Sequence, residues 1–121
     1  MDNLDLKCAE LGKRLAELKG VDEALLRDAL SVLEEQGVYA FFLHLEAQGK
    51  HSAREVSKEC TTFLQGTPME PPLLEKSEVW QALQQLGKDL DNLLFARGLL
   101  RQALVYGRYH VKARGAAGGG S

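Results

Sequence analysis

Cysteine, proline and tryptophan are scarce in this chain: two, three and one respectively among 121 residues. Cys8 and Cys60 form no Cys-x-x-Cys pair and have no histidine at ligand spacing. Both sit among apolar neighbours at helical intervals, so they read as buried, reduced thiols. No His-x-His, His-Glu-x-x-His or mixed His/Cys/carboxylate cluster occurs, which leaves no recognisable metal site. The glycine-rich loops that cradle nucleotide phosphates are missing too, so no cofactor is expected. No run approaches the roughly 20 apolar residues of a membrane span. The longest, Val38 to Leu45, contains His44 and is followed by Glu46. Met1 to Lys7 have neither the basic start nor the apolar stretch of a signal peptide, so a cytoplasmic protein without membrane contact is expected. β-Branched residues are sparse and nothing alternates for long, which argues against strands.

What is abundant is helical periodicity. Leu4, Cys8, Leu11, Leu15 and Leu18 step by four and three, one apolar stripe on an amphipathic helix ending at Gly20. Asp22 can cap a second helix that buries Leu26, Leu30 and Leu33 and meets Gly37. Val38 to Gln48 is apolar nearly all round, as for a helix at the centre of a bundle. Ser52-Ala-Arg-Glu55 has the form of a capping box ahead of Val56, Cys60, Phe63 and Leu64. Gln65 to Pro72 holds every proline and reads as an exposed connection. From Ser77 to about Ala113 the stripe predicts one long helix or two consecutive ones, with a bend at Gly87 or Gly98. The expected fold is all-α, a compact bundle of about five helices with a long C-terminal helix, spanning 1–114 as one domain. Residues 115–121, rich in glycine, read as a disordered tail.

Charge is unevenly spread. Residues 1–87 carry a net charge of −6 and residues 88–121 a net +4. At about 100° per residue, Arg97, Arg101, Arg108 and Lys112 fall within about 60° of one another on the last helix. Guanidinium groups in such a row suit a phosphate track, and Tyr109 on a neighbouring face can stack on an unpaired base. The competing reading is electrostatic: cations near a helix C-terminus oppose its dipole, and acidic helices of the same chain can pair with them. Tyr39, Phe41 and Phe42 cannot all face one direction on a helix, so one or two of them are candidates for a protein interface. His44 reads as a satisfied core or interface histidine, and His51 as a loop residue without chemistry.

Three stretches resemble a known family. Leu4-Asp-Leu-Lys-Cys-Ala-Glu-Leu11 looks like the first amphipathic helix of the small helical (Cmr-type) subunit of type III CRISPR RNA-guided effector complexes. Glu35-Gln-Gly-Val-Tyr-Ala-Phe-Phe-Leu43, leading into Ala47-Gln-Gly-Lys50, is similar to that family's central helix. Gln102-Ala-Leu-Val-Tyr-Gly-Arg-Tyr109 with Lys112 resembles its aromatic, basic terminal helix. The resemblance implies a non-catalytic subunit of an antiviral nucleoprotein assembly, contacting RNA or single-stranded DNA backbone and neighbouring protein subunits. Arg97, Arg101, Arg108 and Lys112 would then lie along the strand's path. Two alternatives stand beside it. One is a protein–protein scaffold, self-associating or with other subunits, without nucleic acid. The other is a metal-independent ribonuclease like the HEPN superfamily, although eight residues separate Arg101 from His110, more than that family's motif has.

Overall fold

The computed structural model describes residues 3–66 and 72–119, and among these all regular structure is helical. Six helices follow one another: α1 (Leu4–Glu17), α2 (Glu23–Gln36), α3 (Val38–Ala47), α4 (His51–Gly66), α5 (Val79–Gly87) and α6 (Leu90–Gly119). Local chemistry sets most of their starts. Asn3 accepts a hydrogen bond from the Leu6 amide, and Asp22 accepts one from Leu25 at 2.8 Å. Glu78 accepts from the amides of Trp80 and Gln81, and Asp89 from that of Asn92. Each satisfies a donor that a helix N-terminus otherwise leaves unpaired. Ser52 does not act this way. α4 begins one residue earlier, at His51, so the expected capping box is not formed, and Glu55 meets His51 at 3.4 Å instead.

Gly37 is a true break, with φ at +103°, a backbone state that side-chain-bearing residues avoid. It turns the chain from α2 directly into α3. Gly87 ends α5, whereas Gly98 lies inside an uninterrupted α6. α6 runs on through Gly115 to Gly119, inside the stretch expected to be a tail. Extending a helix already anchored by packing avoids the cost of nucleating one. Of the proline-rich connection, residues 67–71 lie outside the described residues. Gln65 and Gly66 belong to α4, and Leu73 and Leu74 beyond the gap are buried.

α6 is the axis of the bundle, and α1 and α2 both pack along it. Asp5 faces Gln102 and Tyr106 while Ala16 faces Arg114, so α1 runs in the same sense as α6. Glu34 faces Arg97 and Arg101 while Glu23 faces Arg108, so α2 runs in the opposite sense. Between them, Leu11, Leu15, Leu26, Leu33, Leu100 and Leu104 are wholly enclosed. α1 and α6 come closest at Gly12 and Gly107: a methyl group added at Gly12 would meet the Ala103 carbonyl oxygen at 2.6 Å and the Gly107 nitrogen at 2.8 Å. Only glycine fits that crossing.

α3 is not enclosed on all sides. Val38, Phe41, Phe42 and Leu45 are buried, and Phe41 and Phe42 meet edge to face with ring centroids 5.0 Å apart. Tyr39 and Leu43, one turn apart, look outward at 43% and 51% exposure.

Candidate nucleic-acid interface

α6 is straight in register from Leu90 onward, so helix geometry alone brings Arg97, Arg101, Arg108 and Lys112 to one flank, as the sequence predicts. That flank faces α2. Two rows of side chains border a groove of about 440 Å³ there: Arg27, Leu30, Ser31 and Glu34 from α2, and Arg101, Val105, Arg108, Tyr109 and Lys112 from α6. Leu30 and Val105 form its apolar floor, and the charged groups stand along its rims.

The cations are partly paired within the chain, one of the two arrangements the sequence left open. Arg101 donates from Nε to Glu34 Oε1 at 2.9 Å, and Arg108 donates from Nε and Nη2 to Glu23 Oε1 at 3.0 and 2.7 Å. Arg97 donates to the main-chain carbonyl of Glu34. That carbonyl belongs to the last turn of α2, which contains no cation of its own. Arg97 therefore supplies the positive charge that the helix end favours. Arg114 does the same for α1, on the carbonyl of Ala16. Arg97 thus also caps a helix end. Arg27, outside the predicted set, pairs with Glu23 at 3.6 Å and Asp28 at 3.4 Å.

Charge still remains in excess. Along this seam Arg27, Arg97, Arg101, Arg108 and Lys112 face Glu23, Asp28 and Glu34, five cations against three carboxylates. Lys112 has no carboxylate within 4.0 Å among the described residues. The Arg101 and Glu34 side chains are 54% and 42% exposed, so water screens their attraction and the pair is weak. Arg108 and Glu23, at 28% and 26%, are held more firmly. Tyr109 stands at the rim, 63% exposed.

The other named residues separate. Phe41 and Phe42 are 0% and 1% exposed, their rings packed between α3 and its neighbours. Tyr39 is the one of the three at the surface, tilted against Trp80 with ring centroids 5.4 Å apart. His44 is half-buried with its Nε2 3.0 Å from the Gln48 amide nitrogen. His110 follows Arg101 by nine positions, which is about 180° around a continuous helix. The two groups look in opposite directions, and the Arg/His pair required for ribonuclease chemistry is not assembled there.

A second cavity of about 460 Å³ lies between α3, α4 and the start of α5, bordered by Arg54, Lys58, Glu46, Glu78 and Trp80. Its charges are of both signs. Among the described residues no group of three or more His, Cys, Asp or Glu could hold a metal ion, and no helix is long and apolar enough to cross a membrane. Both cysteines are buried and unpaired. Burial pushes the Cys8 thiol up to about 11, helped by the charge of Asp5. It pushes that of Cys60 up to about 12, with Glu59 raising it and Arg14 opposing. These are poor nucleophiles at neutral pH. The Tyr106 hydroxyl donates to both oxygens of Asp5, at 2.8 and 2.9 Å, and this bond is the main reason its phenol titrates above the usual value.

Sequence reasoning missed Glu23, Arg27, Ser31 and Glu34. The signal was available: on α2 these recur at four, eight and eleven positions, a polar row running beside Leu26, Leu30 and Leu33. A row of acids matching a row of bases is a pairing that only two helices together reveal. Comparison with protein-family models, curated proteins and solved structures found no match to this chain.

Proposed function

We propose that the chain is a non-catalytic helical subunit of a nucleoprotein assembly, which holds the phosphate backbone of RNA or single-stranded DNA in the groove between α2 and α6. The observation that carries this reading is the surplus of cations lining one continuous groove, with the exposed Tyr109 ring beside them. Guanidinium and ammonium groups on the rims meet phosphate, and the ring offers a base a face to stack on. Contacts of these groups to phosphate carry no sequence information, so the contact is sequence-independent. The partial internal pairing makes it a weak site alone, suited to a subunit whose neighbours share the strand. The likeness of the opening, central and terminal helices to the Cmr-type small subunit points the same way, towards a cytoplasmic CRISPR antiviral complex.

The test is fluorescence anisotropy of labelled oligouridylate at two salt concentrations, with wild type, Lys112→Gln and Tyr109→Ala. Removing one phosphate contact lowers the log–log salt slope by about 0.7 for a single strand. Tyr109→Ala weakens binding by about 1–3 kcal/mol if a base stacks on it. Identical binding by all three proteins overturns the proposal.

A second reading, a protein–protein scaffold, is favoured by the exposed Tyr39 and Leu43 with Trp80 against them. Its test is sedimentation of Leu43→Asp. The protein stays folded, and any self-association present in wild type is lost.

A further inference from the structure

Glu34 holds two cations of α6. Its carboxylate holds Arg101, and its main-chain carbonyl holds Arg97. Glu23 likewise holds Arg108 through one oxygen and lies 3.6 Å from Arg27 through the other. Two acids on α2, eleven residues apart, thus occupy the donors of three of the cations that line the groove. An incoming phosphate needs those same donors. Arginine offers its planar fork to carboxylate and phosphate alike, so the two compete for one geometry.

Taking the α2–α6 groove as the phosphate site, we propose that Glu23 and Glu34 are its selectivity residues: internal phosphate mimics that a bound strand displaces. A single phosphate displaces one carboxylate and leaves that acid unpaired beside it. A strand with several phosphates engages Lys112, which has no such competitor among the described residues, and then exchanges with the carboxylates at Arg101 and Arg108 in turn. The groove is therefore selective for contiguous polyphosphate backbone over isolated anions. The more exposed pair, Arg101–Glu34, opens first, because solvent already screens it.

Replacing either acid by glutamine keeps its shape and leaves the Glu34 carbonyl in place for Arg97. Each released cation adds about 0.7 to the salt slope for a single strand, which is about a fivefold gain in affinity at 0.1 M salt. The experiment titrates oligouridylate and uridine monophosphate into wild type, Glu34→Gln, Glu23→Gln and Glu17→Gln. The last removes an exposed acid from α1, away from the groove, with the same change in net charge. The expected result is a steeper slope and tighter oligonucleotide binding for Glu34→Gln and Glu23→Gln, with Glu17→Gln close to wild type. The monophosphate gains measurable binding only in the two groove variants. Equal gains for all three variants overturn the inference, since net charge alone then explains them. Binding by wild type that the groove variants leave unchanged overturns it as well, while the phosphate site itself stands. If no protein binds oligonucleotide, both fall. Binding by the groove variants alone supports the mimicry and shows the wild-type groove to be closed.

Discussion

On its α1 side, α6 is closed by backbone contact at Gly12 and Gly107. On its α2 side, beyond the buried Leu26, Leu33, Leu100 and Leu104, long charged side chains border a groove of about 440 Å³. One helix therefore has two different flanks. The first has no room for a single added carbon, so it tolerates no change of shape. The second carries, beside its buried leucines, exposed or half-exposed ion pairs whose partners can be exchanged at small cost to the fold. Packing strength and chemical availability lie on opposite sides of the same rod.

The sharpest way to break this contrast is Gly12→Val. Overpacking against backbone atoms is expected to cost about 3 kcal/mol or more, a fall of about 10–20 °C in thermal unfolding followed by circular dichroism. Gly98→Ala is the counterpart, since nothing lies within 4 Å of its added carbon. There the gain in helix propensity raises stability by up to about 1 kcal/mol. Similar losses at both positions would dissolve the distinction.

Alkaline pH loads the closed side next. The Cys8 thiol, within 3.5 Å of the Leu99 carbonyl across that seam, and the Cys60 thiol on α4 titrate at about 11 and about 12, above the ordinary 9.0. The unfolded chain releases these protons first. Their contribution is complete below pH 9 and is lost as the pH climbs towards the folded values, by about 1.4 kcal/mol per pH unit for each thiol. Urea unfolding on either side of pH 9 measures that slope, and Cys8→Ala flattens it.

The smallest effect belongs to the open flank. Arg101→Gln should change stability by less than about 1 kcal/mol, because its pair with Glu34 is more than 40% exposed on both partners. A loss as large as that of Gly12→Val would make the groove a structural seam.

Much of this architecture was legible from spacing. The α1 stripe, the Asp22 cap, the two buried thiols and the long basic helix all follow from rules that act within one helix, and the structure has each of them. Which of Tyr39, Phe41 and Phe42 would reach the surface was not legible, because a helix that is apolar all round does not say which side its neighbours cover. Whether the stripe of Arg97, Arg101 and Arg108 would stand bare or be paired stayed open in the same manner. A helical wheel orders the cations of α6, but it is silent about the acids of α2.

Periodicity by itself thus determined the class of fold, the helix that would carry the positive charge and the angle at which its side chains leave it, since these depend on contacts only a few residues apart. Tertiary packing alone decided that Gly12 and Gly107 would touch, that Arg97 would close the end of α2, and that Glu23 and Glu34 would stand opposite Arg108 and Arg101. Those partners are more than 60 residues apart along the chain, where no local rule reaches.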